Sequence, residues 1–271
     1  MPQRRPRAVA FVLIVWLSGV VGAISLISVE QEREIGRQAL AQVRKQVPEV
    51  RDREVVDYVR SLGRQLVPNA KGPKYPYSFW VADYRELNAF ALPGGPVWLH
   101  RGILHVATNE SQVISVLAHE IAHISQRHAA AQLTKAAMAN WGLGVLGALL
   151  GNNGGAGAAK IAAGLLANGL FLKFSRDDER EADRVGLQMM TRAGWDPRGM
   201  VELFDILRRE AKRDPGTVEV FFSSHPSPQD RIAELQAEVK RHRGGRRDSQ
   251  EFKNIKARLR RLPAPKAMPR S

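Results

Sequence analysis

Two histidines four residues apart, with a glutamate next to the first, constrain this chain more than any other feature. They stand in Val116-Leu117-Ala118-His119-Glu120-Ile121-Ala122-His123-Ile124. Residues i and i+4 share one face of a helix, so both imidazoles reach a single metal ion if this stretch is helical. Glu120 lies one step round the helix. It is badly placed to ligate beside the histidines and well placed to take a proton from a water on the metal. Asn109, with Gln112 three residues later, reads as a capping box that starts the helix. Val113, Leu117, Ile121 and Ile124 follow helical spacing and predict the buried stripe that would hold it rigid. A helix with two satisfied core histidines and an exposed glutamate is the competing reading of the same five residues.

A zinc ion held by two histidines needs a third protein ligand and one open position. None of the 271 residues is cysteine, so the third ligand must be His or carboxylate, and disulfides, a thiol nucleophile and a lipidated cysteine are excluded. Residues 175–194 supply carboxylates in Ser-Arg-Asp-Asp-Glu-Arg-Glu-Ala-Asp-Arg-Val-Gly. Glu179 and Asp183 are four apart and share a face. Glu179 can be the third ligand. Asp183, one turn on, can accept a hydrogen bond from the far nitrogen of a ligating histidine and fix its ring. Glu181 points away from that face. Ala182 and Gly186 are small and would let a second helix approach. A solvated acidic helix is the alternative for such a charge run.

The remaining chain reads as a scaffold around these two stretches. Residues 1–7 carry three arginines, and residues 8–29 carry no charge, which predicts a signal peptide or a membrane anchor over 1–29. Arginines ahead of the apolar run orient the rest of the chain away from the cytoplasm. Residues 30–67 predict two helices separated by Pro48. Strands are expected over 77–82, 88–92 and 96–100, the last two joined by Pro93-Gly94-Gly95, which makes a small antiparallel sheet beside the histidine helix. Its edge would suit an extended peptide added as a further strand. Residues 129–174 are rich in Ala, Gly and Leu, and read either as a helix pair filling the core or as a hairpin over the cleft or against lipid. From Lys240 to the end, twelve Lys and Arg stand against two acids, ten of the chain's net fourteen positive charges. That predicts an exposed basic tail over 240–271, with a metal-binding domain over 30–239. The tail has almost no aromatic interleaving, so nucleic acid is not expected as a partner; contact with a membrane surface remains open.

Four motifs in order carry a family resemblance: Asn88-Ala-Phe-Ala-Leu-Pro-Gly-Gly, His119-Glu-x-x-His123, Ser175-Arg-x-x-Glu-x-Glu-Ala-Asp183 and Ser224-His-Pro-x-x-x-Arg-Ile232. Together they resemble the zinc metalloendopeptidases grouped with the CAAX prenyl proteases and HtpX, nearest to a soluble periplasmic branch. The resemblance implies a mostly helical α+β fold of the gluzincin type. It implies one zinc ion on His119, His123 and Glu179, with Glu120 as general base. It implies His225 and Arg231 as catalytic donors to the carbonyl oxygen, and Asn88 and Ala89 as substrate-binding residues of an edge strand. From chemistry alone, an imidazole at 225 can instead occupy the open metal position and hold the enzyme at rest. The implied activity is hydrolysis of peptide bonds in misfolded or mislocalised envelope proteins. A chaperone or assembly factor using the same cleft, and a zinc amidase acting on cell-wall peptides, are the competing functions.

Overall fold

The structure is a computed structural model, and it describes residues 25–136, 138–139, 154–167, 173–225 and 229–269. The expected leader therefore lies almost entirely outside the described residues, as does much of the Ala/Gly-rich stretch.

Helix α1 (Val29–Gln46) opens on Ser28, whose side chain caps it in a reciprocal box with Gln31. Helix α2 (Arg53–Leu66) starts from Asp52, whose side chain accepts from the Val55 N–H. Strands β1 (Ser78–Ala82), β2 (Ala89–Ala91) and β3 (Pro96–His100) form one sheet in the order β1-β3-β2. The expected β2–β3 hairpin is present and antiparallel, with Ala89 opposite Leu99. Its turn needs Gly94 at φ 74°, where a Cβ would sit 2.6 Å from the Arg33 Cα. The expectation of an all-antiparallel sheet is corrected: β1 pairs parallel with β3, Ser78 opposite Pro96 through Ala82 opposite His100. The hairpin docks through β3, so β2 is left at the sheet edge.

Short helix α3 (Arg101–Val106) leads into α4 (Glu110–Ser125), the histidine helix. Asn109 caps α4 at the Gln112 N–H, but Gln112 reaches back to the Thr108 N–H rather than closing a box on Asn109. Every residue of α4 is buried, not only the predicted stripe. Helix α5 (Gly154–Ala167) packs on α1, with Ala158 and Ile161 joining Ile27 and Ile35 in a small apolar cluster. Helix α6 (Arg176–Arg192) begins at a Ser175–Asp178 capping box and ends just before Gly194, which adopts φ 80°. It lies along α4, and a Cβ on Gly186 would stand 3.2 Å from the Ala118 carbonyl, so the predicted small position is where the two helices meet. Helices α7 (Arg198–Arg213), α8 (Glu219–Ser224) and α9 (Gln229–Val239) close the remaining side.

The stretch expected to be an exposed basic tail is part of the body. Helix α10 (Gln250–Leu259) buries Phe252, Ile255 and Leu259, three and four residues apart, against the main core. Its cations are spent locally. Lys256 Nζ donates to the carbonyls of Leu104, His105 and Ala107 at 3.0, 2.5 and 2.9 Å and so caps the C-terminal end of α3. Arg258 pairs with Asp52, and Arg247 bridges Asp196 and Glu202. No helix among the described residues is long and apolar enough to cross a membrane.

Candidate metal centre

Helices α4 and α6, together with the end of α8, bring His119, His123, Glu179 and His225 to one point. One ligand atom from each lies within 4.8 Å of all the others, and all four residues are buried. His119 Nε2 and His123 Nε2 are 3.0 Å apart, and His123 Nε2 is 3.3 Å from Glu179 Oε1. His225 Nδ1 stands 2.9 Å from Glu179 Oε1 and 3.4 Å from His119 Nε2.

Proton placement suits this cluster to a cation. Asp183 Oδ1 lies 3.0 Å from His119 Nδ1. A carboxylate only accepts, so Nδ1 carries the proton and His119 Nε2 presents a lone pair to the centre. Buried lone pairs and a carboxylate at such separations repel unless a proton or a metal ion lies among them. Two imidazoles and a carboxylate are a donor set that suits zinc. Burial is the largest influence on His123 and pushes it well below the usual imidazole range, which favours the neutral ring that a metal needs. Burial alone would raise the Glu179 carboxyl. The charge of the neighbouring His225 ring outweighs it and holds Glu179 well below the usual carboxylate range.

Glu120 stands beside the cluster, 1% exposed, and neither carboxylate oxygen has a hydrogen-bond partner among the described residues. His225 Nε2 stands 3.7 Å from its Oε1. Burial raises its carboxyl above the ordinary value. A buried, unpartnered carboxyl beside converging metal donors matches what a proton-transferring group needs.

Asp183 and Arg231 support the donors from behind. Arg231 donates from Nε to Asp183 Oδ2 at 2.6 Å, from Nη2 to Asp183 Oδ1 at 2.8 Å, and from Nη1 to Glu179 Oε2 at 2.5 Å. The guanidinium that the sequence resemblance implies as a donor to substrate thus faces these two carboxylates. Asn88 and Ala89 are fully buried at the start of the edge strand. The Asn88 carbonyl accepts from the His100 N–H, while both atoms of its side-chain amide lack partners among the described residues. Strand β2 packs on α4, and the Ala91 backbone lies at Glu120.

Three neighbours of the site escape sequence reasoning. Phe174 stacks on the His123 ring at 4.0 Å between centroids, and its N–H donates to the Ser224 carbonyl. Phe221 stacks on His225 at 4.8 Å. The third is His128, and burial holds its ring below the usual imidazole range. The one signal in the sequence is the aromatic directly ahead of the Ser175 cap, too weak to assign.

Residues 54–239 match the sequence profile described as Peptidase family M48. The chain is 35% identical over 216 residues to the beta-barrel assembly-enhancing protease of Escherichia coli (strain K12), covering 78% of this chain and 44% of that protein. It is 36% identical over 159 residues to the mitochondrial metalloendopeptidase OMA1 of Schizosaccharomyces pombe, covering 57% of this chain and 45% of that one. The chain thus spans less than half the length of these relatives.

Proposed function

This chain belongs to peptidase family M48, and from its site we propose that it is a zinc-dependent endopeptidase cutting misfolded or mislocalised proteins of the cell envelope. The observation that carries this reading is the convergence of His119, His123 and Glu179 beside the unpartnered Glu120, at the edge of a sheet. The three convergent residues would hold the ion. When bound, zinc supplies Lewis acidity toward a peptide carbonyl and acidifies water at neutral pH. Glu120 accepts the proton from the attacking water and passes it to the leaving amine. Its burial keeps bulk water from competing for that proton. Strand β2 aligns the substrate backbone as an added strand, with Asn88 and Ala89 at its start. Asp183 and Arg231 hold the ring of His119 and the carboxylate of Glu179 in place.

His225 has two roles in this reading. In the arrangement described here its ring completes the four-residue cluster, which supports a resting state in which the imidazole takes the position a substrate needs. With substrate in the cleft, it serves as a donor to the carbonyl oxygen on which negative charge builds. The name of the Escherichia coli relative, together with the uncharged apolar run over residues 8–29, supports a site of action outside the cytoplasm.

The test incubates an unfolded outer-membrane protein with the wild-type chain and with Glu120→Gln, each with and without a chelator. Cleavage by the wild type alone, abolished by chelator and restored by zinc, is expected. Equal cleavage by Glu120→Gln would remove Glu120 from the reaction.

A further inference from the structure

Helix α4 ends at Ser125, and Arg127 then adopts φ 62°. This left-handed conformation is unfavourable for a non-glycine residue. A partly buried network offsets it. Arg127 Nε donates to Glu32 Oε2 at 2.7 Å, Tyr75 Oη donates to the same oxygen at 2.6 Å, and Arg127 Nη2 donates to the Ile27 carbonyl. The turn redirects the next residue. On a continuous helix, a residue five beyond His123 would face away from it. Here His128 folds back so that its Nδ1 lies 2.9 Å from His123 Nδ1, with both rings 1% exposed.

The carboxylate beyond His128 assigns the proton in that contact. His128 Nε2 lies 3.3 Å from Glu181 Oε2. The carboxylate only accepts, so a neutral His128 carries its proton on Nε2, and its Nδ1 is an acceptor. His123 must then donate from Nδ1, which leaves its Nε2 unprotonated and directed at His119 and Glu179. Asp183 does for His119 in one bond what the pair does for His123 in two.

We infer that His128 and Glu181 are positioning residues for the metal: Glu181 sets the tautomer of His128, and His128 fixes the ring and tautomer of His123 so that Nε2 can ligate zinc. This rests on the proposed zinc site. It also gives Glu181 a part in the site without making it a ligand. A histidine-bound metal is typically tuned through the other ring nitrogen, and loss of such a partner costs about ten- to hundredfold in metal affinity.

The test is zinc affinity, measured by competition against a chromophoric chelator on the full chain. His128→Phe keeps an aromatic ring and removes the acceptor; His128→Asn places an amide oxygen where Nδ1 was. A loss of about ten- to hundredfold is expected in His128→Phe, with most of it recovered in His128→Asn. Glu181→Ala, at a side chain 38% exposed, should fold and lose affinity by a smaller factor. If His128→Phe fails to fold, Glu181→Ala alone decides, and wild-type affinity in that variant overturns the inference. Wild-type affinity in His128→Phe overturns it as well, as does an equal loss in His128→Asn, which would mean packing and not hydrogen bonding. Failure of the wild-type chain to bind zinc at all would instead overturn the proposed function.

Discussion

Replacing Arg231 by Met tests how the centre is held. Arg231, Asp183 and Glu179 are 4%, 3% and 0% exposed, and three guanidinium bonds of 2.5 to 2.8 Å join them. Methionine retains much of the apolar stem and part of the contact with Phe204, over whose ring the guanidinium sits at 4.9 Å. What is lost is charge: two carboxylates remain buried without their cation. Removing one partner of a buried pair typically costs about 3–5 kcal/mol. At about 2–4 °C per kcal/mol for a chain of this size, the zinc-free protein should melt roughly 6–20 °C lower. Asp183→Asn removes one of the two stranded charges, so the double variant should be less damaged than the sum of the single ones. Thermal unfolding followed by circular dichroism on the four zinc-free proteins gives the coupling. Strict additivity, or a melting point for Arg231→Met within about a degree of the wild type, would refute the idea that this guanidinium supports the site from behind.

Neighbouring contacts give further expectations. Glu179→Ala should abolish zinc retention, and Glu181→Ala should only weaken it; metal analysis of purified variants separates the two. His225→Ala should cut turnover of a peptide substrate by about two to three orders of magnitude if its donor role dominates, and raise basal self-cleavage if its resting role does; unchanged kinetics and unchanged self-cleavage would reduce the residue to packing. Burial alone would raise the Asp196 carboxyl, but bonds from Arg198 and Arg247 outweigh it and hold the carboxyl below its ordinary value. Its stabilising contribution is therefore complete above the unfolded carboxyl pKa of about 3.9 and lost as pH falls through the lower folded value. Asp196→Asn should flatten that acid limb of a stability-against-pH curve, and an unchanged limb would show that Asp196 is not responsible for it.

The parts of the site legible in the sequence are those that helical spacing dictates. His119 and His123, then Glu179 and Asp183, lie four apart within single helices, so their common faces follow from local geometry alone. The small residues Ala182 and Gly186 mark the α4–α6 contact for the same reason. Pro93-Gly94-Gly95 likewise announces its turn. Strand order is not legible, because pairing β1 with β3 is a choice among non-local partners that the alternation of side chains does not encode. The basic C-terminal stretch misleads because charge dominates its composition. Phe252, Ile255 and Leu259 keep helical spacing inside it, and the cations beside them have specific partners. His128 is out of reach because its position depends on a left-handed turn at an arginine, a residue type that gives no warning of one. The direction of Arg231 is equally hidden, since a motif names a residue without saying which way its side chain faces.

The measurement closest to the central claim is X-ray absorption at the zinc edge on the purified chain, beside its metal content. One zinc per chain is predicted, with only nitrogen and oxygen neighbours at about 2.0–2.2 Å. His123→Ala should remove one imidazole from that shell or lose the metal. A wild-type chain that takes up no zinc, or a His123→Ala protein whose zinc keeps the same number of imidazoles, would contradict the account.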